Sequence, residues 1–257
     1  MIYRFCIEML LFFCGSAAGS FLNCVCDRMI QKESILGRSR CPKCSCVLDV
    51  IDLIPVFSYL FLKGRCRRCG ERIDPFCICA EIIGGTIFVL SYCRFGFCIK
   101  MSLYLLIAAV LLMISLSDAK SMLIPDPAML LLFLLRILFF FLTKEEIKIF
   151  LIRFLGSFLL GLFLCAFICF SERITGKEMM GNGDVILIFL LGSFLNIQED
   201  LMALFLSSLI AMIYGIPLIK KKQLRCFPFA PAICLAYLLM FLYGTQITVF
   251  YLSLFQK

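Results

Sequence analysis

The chain is predicted to fold as an all-α polytopic membrane protein, a bundle of about eight transmembrane helices. Its composition is the first reason: 63% of the 257 residues are apolar, only 16% are charged, and the mean hydropathy is +1.04. A soluble globular chain is roughly half apolar and about a quarter charged. The second reason is that the apolar residues gather in charge-poor runs close to the ~20 residues a helix needs to cross a bilayer core of ~30 Å. The third is that these runs do not alternate, as the ~10-residue strands of a membrane barrel would. In lipid the remaining way to satisfy the backbone is the helix.

The runs are 9–26, 75–93, 101–117, 127–143, 154–171, 185–198, 201–219 and 226–256. Glu81 interrupts the second, Arg136 interrupts the fourth, and the sixth is short. The first is not a cleaved signal peptide, because it continues past Gly15-Ser16-Ala17-Ala18-Gly19 to Cys26 and further runs follow. With eight spans, seventeen lysines and arginines fall in the odd-numbered loops, ten of them in residues 27–74; seven fall in the termini and even-numbered loops. The positive-inside rule therefore places the odd loops in the cytoplasm and the N-terminus outside. The net charge of +8 is accounted for by this topology and by attraction to anionic lipid headgroups, with no nucleic-acid partner needed.

One loop stands apart. Residues 27–74 are long, polar and basic, and carry Cys41-Pro42-Lys43-Cys44 and Cys66-Arg67-Arg68-Cys69 with 21 residues between the pairs. Two such knuckles present four thiolates at tetrahedral reach, the arrangement of a structural zinc site. In a reducing cytoplasm metal outranks disulfide. Lys43, Arg65, Arg67 and Arg68 would offset the negative charge of a tetrathiolate centre. Cys46 has no place in a closed four-ligand site. The other reading is four unligated thiols or a redox pair. Of seventeen cysteines, thirteen lie outside the knuckles, many within spans, where a thiol behaves as a small hydrophobe. Between the knuckles, Asp52 to Leu62 is too short to span and too apolar for free water, so it is predicted to lie at the interface or pack on the bundle.

Ionisable groups at membrane depth are costly and mark candidate functional sites. Asp118 ends the third run and Asp184 begins the sixth, both at the cytoplasmic side of the predicted topology, so they are placed to meet at one depth. Gly181 and Gly183, either side of Asn182, would leave room for a substrate backbone. The plainer readings are a helix cap for Asp184 and a water-facing helix end for Asp118. The chain has no histidine. No Ser-His-Asp triad, Cys-His dyad or His-ligated catalytic zinc can therefore be assembled. Two aspartates sharing a proton remain available, one as base and one as acid.

These residues resemble a known family. Gly181-Asn182-Gly183-Asp184 is similar to the G-x-G-D motif of intramembrane aspartyl proteases, and Lys177 to Asp184 resembles the K-E-G-M-G-Y-G-D stretch of type IV prepilin peptidases. Gly15 to Asn23 with Arg28 resembles that family's first span. Cys41-Pro42-x-Cys44, Asp52 to Pro55, Gly64 to Cys69 and Glu81 resemble its cytoplasmic loop and the following span. Asp118 with Ile124-Pro125-Asp126 resembles its first catalytic motif, and Phe227 to Pro231 the start of its last span. The likeness runs in order along nearly the whole chain. Three positions depart from the pattern: Asn182 stands for tyrosine, and Met179 and Ala230 each stand for glycine. No aspartate is lost.

The resemblance implies one membrane-embedded peptidase domain over 1–257, with the zinc-binding loop 27–74 inserted between the first two helices. It implies Asp118 and Asp184 as catalysts, with Asp126 starting a helix. It also implies a bacterial inner-membrane enzyme that cleaves the leaders of prepilins or pseudopilins, for pili or secretion. S-adenosylmethionine would serve as methyl donor to the new N-terminus. Two other classes stay open on the residues alone: a catalytically inactive zinc-loop scaffold of a pilus or secretion assembly, and a transporter.

Overall fold

The structure, a computed structural model, describes residues 2–176, 180–222 and 227–255. Helices dominate: α1 (Ile2–Gln31), α2 (Phe57–Phe61), α3 (Pro75–Phe95), α4 (Ile99–Ser121), α5 (Asp126–Thr143), α6 (Ile147–Thr175), α7 (Asn182–Gly192), α8 (Ile197–Lys222) and α9 (Ala230–Phe255), with a 3-10 turn at Val50–Leu53. Among the described residues, seven are long and apolar enough to cross a membrane: α1, α3, α4, α5, α6, α8 and α9. The chain is thus an all-α multi-pass membrane protein.

The sixth predicted run departs from the expectation of a full span. Within 185–198 the helix α7 stops at Gly192, and its 11 residues reach only ~16 Å of a ~30 Å core. Leu187, Ile188, Leu190 and Leu191 are buried, and α7 packs on α5, α6, α8 and α9. A helix end inside the apolar layer needs such a protein surround, since lipid offers its terminal backbone groups no partner.

The chain divides into two compact units, Met1–Ser117 and Asp118–Lys257. In the first, α1 and α3 lie almost backbone to backbone. A Cβ at Gly15 would stand 2.5 Å from the Gly84 carbonyl oxygen, and a Cβ at Gly19 would strike the Ala80 carbonyl. Gly15-x3-Gly19 against Ala80-x3-Gly84 is the small-residue packing that lets helices associate where lipid supplies no hydrophobic drive. Cys26, Ala80, Leu112 and Leu116 form a buried cluster beside it, with Leu22 packed on them. Asp74 sets where α3 begins: its Oδ1 accepts from Phe76 N at 3.0 Å, and Pro75 takes the first helical position.

The second unit resolves Arg136. It does not face lipid; it is 1% exposed and turned into the unit. Its Nη2 lies 2.9 Å from Glu145 Oε2, close enough to pair though not aligned as a hydrogen bond. Its Nε donates to the Ser193 carbonyl at 2.9 Å, and its guanidinium carbon stands 4.6 Å from the Phe150 ring centroid. Glu145 also pairs with Arg153 at 2.8 Å, and Arg153 donates to Asn196 Oδ1 at 3.1 Å. A cation inside run 127–143 is therefore compatible with a membrane helix, because its charge is met by protein. Nearby in sequence, buried Asp200 accepts a hydrogen bond from Tyr237.

Candidate active site and thiol cluster

The loop between α1 and α3 contains the same small structure twice. In the first knuckle, Cys41 N donates to the Cys46 carbonyl at 3.0 Å, Ser45 N donates to the Cys41 carbonyl at 2.9 Å, and Arg40 pairs with Val47. In the second, Cys66 N donates to the Glu71 carbonyl at 2.8 Å, Gly70 N donates to the Cys66 carbonyl at 2.9 Å, and Arg65 pairs with Arg72. Each turn puts one residue at positive φ, Ser45 at 54° and Gly70 at 70°. Cys46 is thus the counterpart of Glu71, and its contribution is a carbonyl rather than a thiol ligand.

These turns bring the sulfurs of Cys41, Cys44, Cys66 and Cys69 within 4.8 Å of one another, with Cys41 Sγ 3.8 Å from Cys69 Sγ. Four sulfurs held tetrahedrally at ~2.3 Å from a zinc ion lie ~3.8 Å apart, so the donor set and its spacing fit that metal. Lys43 of one knuckle pairs with Glu71 of the other. That hydrogen bond holds the Glu71 carboxyl below its ordinary range and raises the Lys43 ammonium. Arg67 Nε lies 3.0 Å from Asp52 Oδ1, and Arg68 Nη2 lies 3.8 Å from Asp49 Oδ2, tying the second knuckle to the apolar segment.

The predicted aspartates both belong to the unit that starts at Asp118. Asp118 sits in the last turn of α4, is 6% exposed, and its Oδ2 accepts from the Ala230 N–H at 3.0 Å. Ala230 is the first residue of α9, so this carboxylate caps the positive end of that helix. Asp184 is not the cap of α7. Gly181 is the cap residue, and Asp184 is the third helical residue, with its N–H donating to the Gly181 carbonyl at 3.1 Å. Its carboxylate turns back to the Gly181 N–H, as the third residue of a capping box does. Asp184 Oδ1 is buried without a hydrogen-bond partner among the described residues. The Asp118 charge acts on Asp184, and both act on the Tyr214 hydroxyl and the buried Cys234 thiol. The two carboxylates are therefore gathered in one electrostatic neighbourhood.

Gly181 and Gly183 flank Asn182 at the start of α7. Neither Gly181 nor Gly183 has a positive φ. A Cβ at Gly183 would sit 3.3 Å from Ile124 Cδ1, so this glycine lets α7 approach the segment that follows α4. Lys177, Glu178 and Met179, which precede the motif, lie outside the described residues. Two contributors were missed from the residues alone: the Ala230 N–H, and Tyr214, whose hydroxyl donates to the Pro228 carbonyl at 2.6 Å. The proline-rich run from Phe227 to Pro231 was their signal, but a backbone donor carries no side-chain signature.

Fold and site together define a multi-pass membrane protein with a thiol cluster in one unit and, in the other, a carboxylate pair of which Asp118 is buried and Asp184 half-buried. Residues 13–95 match the family described as "Bacterial Peptidase A24 N-terminal domain", and residues 105–216 match the "Type IV leader peptidase family". The chain is 33% identical over 253 residues to the prepilin leader peptidase/N-methyltransferase of Bacillus subtilis (strain 168), covering 95% of this chain and 98% of that one. It is 30% identical over 278 residues to the protein of that name from Aeromonas salmonicida (strain A449), covering 95% and 93%. The Pseudomonas aeruginosa PAO1 protein of the same name is 30% identical over 269 residues, covering 93% and 91%. No solved structure matches the chain. The chain belongs to the type IV prepilin peptidase family.

Proposed function

We propose that this chain is an aspartic-type endopeptidase of the bacterial inner membrane that removes the leaders of type IV prepilins or pseudopilins, with Asp118 and Asp184 as its catalytic pair. The observation that carries this is the arrangement of two carboxylates, Asp118 buried and Asp184 half-buried, one charge acting on the other, with an oxygen of Asp184 unpartnered among the described residues. Two carboxylates in one field hold a single proton between them. The ionised one takes a proton from water, and that water attacks the scissile carbonyl carbon. The protonated one gives its proton to the carbonyl oxygen and, as the C–N bond breaks, a proton passes to the leaving amine. The Ala230 N–H fixes the Asp118 carboxylate during these transfers. Gly181 and Gly183 are assigned to the approach of the substrate backbone.

Loop 27–74, with ten lysines and arginines, is assigned to the cytoplasm, which places the ends of α1 and α4 and the start of α3 on that side and the N-terminus outside. A prepilin's basic leader stays on the same side while its apolar helix inserts, so the bond to be cut lies at the depth of Asp118. Zinc, held by Cys41, Cys44, Cys66 and Cys69, would have no open position and would cross-link the two knuckles.

The relatives' names also carry an N-methyltransferase activity, and we assign to this chain a methyl transfer from S-adenosylmethionine to the amine freed by cleavage. The apolar cavity lined by Gly15, Gly19, Gly84, Ala108 and Leu112 offers no charged or hydrogen-bonding side chain, so it does not fit that donor, and no step is derived through it. Methyl-labelled donor added to a cleavage reaction should label the mature pilin; label absent from fully cleaved product would remove the second activity.

The peptidase is tested with purified protein in detergent, given either full-length prepilin or a soluble leader-junction peptide lacking the apolar helix. The full-length substrate should be cut, with a glycine favoured just before the scissile bond, and the short peptide at least ~10-fold more slowly, since anchoring supplies the effective concentration. Equal cutting would remove the anchoring argument. Failure to cut any prepilin would leave the inactive scaffold as the better reading.

A further inference from the structure

The apolar segment between the knuckles does more than rest on the bundle. Residues 53–62 contain no charge, and they fold back on themselves: the 3-10 turn Val50–Leu53 runs in, Ile54-Pro55-Val56 turns, and α2 runs out to Lys63. Its tip touches α1 at depth. The Phe57 ring stacks on the Phe13 ring at 5.8 Å, and Phe13 lies fourteen residues before Asp27. At the helical rise that separation is ~21 Å along α1. The hairpin's own depth is smaller: the turn at Val56 meets Glu81, seven residues after Asp74, or ~10 Å along α3, which is inside a ~30 Å hydrocarbon core.

A chain that enters lipid must satisfy its own backbone, and this one does so almost entirely. Ser58 N donates to Ile54 O at 3.0 Å, Phe57 N to Pro55 O at 2.7 Å, Leu60 N to Val56 O at 3.1 Å and Leu62 N to Ser58 O at 2.9 Å. Pro55 has no N–H to satisfy. The Val56 N–H, at the turn itself, finds its acceptor elsewhere: it donates to Glu81 Oε2 at 2.7 Å. Glu81 lies in the apolar helix α3, is 8% exposed, and its Oε1 accepts from Ser20 Oγ of α1 at 2.8 Å. One carboxylate thus joins α1, α3 and the turn, which accounts for an acidic residue inside a membrane helix. At the mouth, Asp49 and Asp52 pair with Arg68 and Arg67 of the second knuckle.

We propose that residues 53–62 form a re-entrant hairpin whose outer face is covered by lipid acyl chains, and that Glu81 is the residue that anchors it at depth. The face left outward is apolar, with Leu60 60% and Phe61 82% exposed, and it continues the exposed apolar surface of α1 at Phe13 and Leu10. Bilayer hydrocarbon is the occupant that matches both its chemistry and its level. The hairpin fastens the metal-binding knuckles to the membrane.

The chain has no tryptophan, so Phe57→Trp introduces a lone reporter into the full-length protein in phosphatidylcholine vesicles. Its emission should be blue-shifted, and quenching by lipids brominated on the acyl chain should exceed quenching by aqueous iodide several-fold. Adding Glu81→Ala should reverse that ratio while the metal content of the knuckles is kept; Glu81→Gln, which retains an oxygen for Val56 N–H, should preserve it. Strong iodide quenching in the otherwise unaltered protein would overturn the hairpin. Shielding that develops only after prepilin is added would do the same, marking a substrate face instead. An unchanged ratio in Glu81→Ala would remove Glu81 as the anchor. If Phe57→Trp does not fold, Leu60→Trp, on the outward face of α2, reads the same depth.

Discussion

Asp118 with Asp184 and Arg136 with Glu145 are both largely withdrawn from the surface of the unit from Asp118 onward, yet they handle charge in opposite ways. Around Arg136 a cation meets an anion, a carbonyl and three aromatic rings, and the anion meets a second arginine. Around the aspartates two like charges share one neighbourhood, each held by a backbone N–H. Unpartnered atoms do not separate the clusters, since Asp184 Oδ1 and also Arg136 Nη1, Arg136 Nη2 and Glu145 Oε2 lack a hydrogen-bond partner among the described residues. A cluster of opposite charges in a membrane interior is compensated and secures packing; two like charges are not compensated by each other and favour a shared proton. Burial alone therefore does not distinguish structure from chemistry. The sign of the neighbouring charge does.

Substitution should separate the two clusters most sharply in activity. Asp118→Asn and Asp184→Asn should each lower leader cleavage by at least ~10³-fold, since either would remove half of the proposed proton-sharing pair. Both variants should stay folded and membrane-inserted. Retained cleavage in either would sink the assignment. Glu145→Gln should do the reverse, leaving activity per folded molecule unchanged while costing about 3–5 kcal/mol, the usual penalty for leaving a buried charge unpaired. Thermal unfolding in detergent measures it. If Glu145→Gln abolished cleavage without loss of stability, the contrast between the clusters would fail.

The thiol cluster offers an intermediate effect, confined to the other unit. Cys44→Ser, or chelation of the reduced protein, should take the zinc content from about one ion per chain to near zero and lower the stability of the loop, because binding energy is folding energy at such a site. Metal analysis of freshly purified protein checks this, and an unaltered protein free of zinc would count against it. A smaller effect comes from packing. A Cβ at Gly192 would overlap Asp200 Oδ2 and Ser157 Oγ, so Gly192→Ala should destabilise by about 1–3 kcal/mol. At Gly183 the nearest atom is the flexible end of Ile124 at 3.3 Å, and Gly183→Ala should cost less than about 1 kcal/mol. Equal losses at the two glycines would show that the crowding at Gly192 is relieved by movement of its neighbours.

The presence of the apolar helices and the cysteine spacing were legible in the residues because each acts locally. A stretch of apolar residues in lipid must be helical wherever it lies in the fold, and the two C-x-x-C turns build their own hydrogen bonds within a few residues. The start of α3, both ends of α5 to within a residue, and the gathering of the four sulfurs follow from such rules, whereas α1 runs from Ile2 to Gln31, well beyond its charge-free run 9–26. What required tertiary structure were the pairings between distant segments. Whether Arg136 faced lipid or protein depended on Glu145 and Ser193. Whether run 185–198 crossed depended on the surround that lets α7 end early. Glu81 needed Val56 and Ser20 to explain it, and Asp118 needed an N–H from residue 230. A chain can state which groups it carries and how its nearest neighbours are spaced, but a buried charge is made stable by whatever it meets across the fold, and that partner is chosen only when the helices pack.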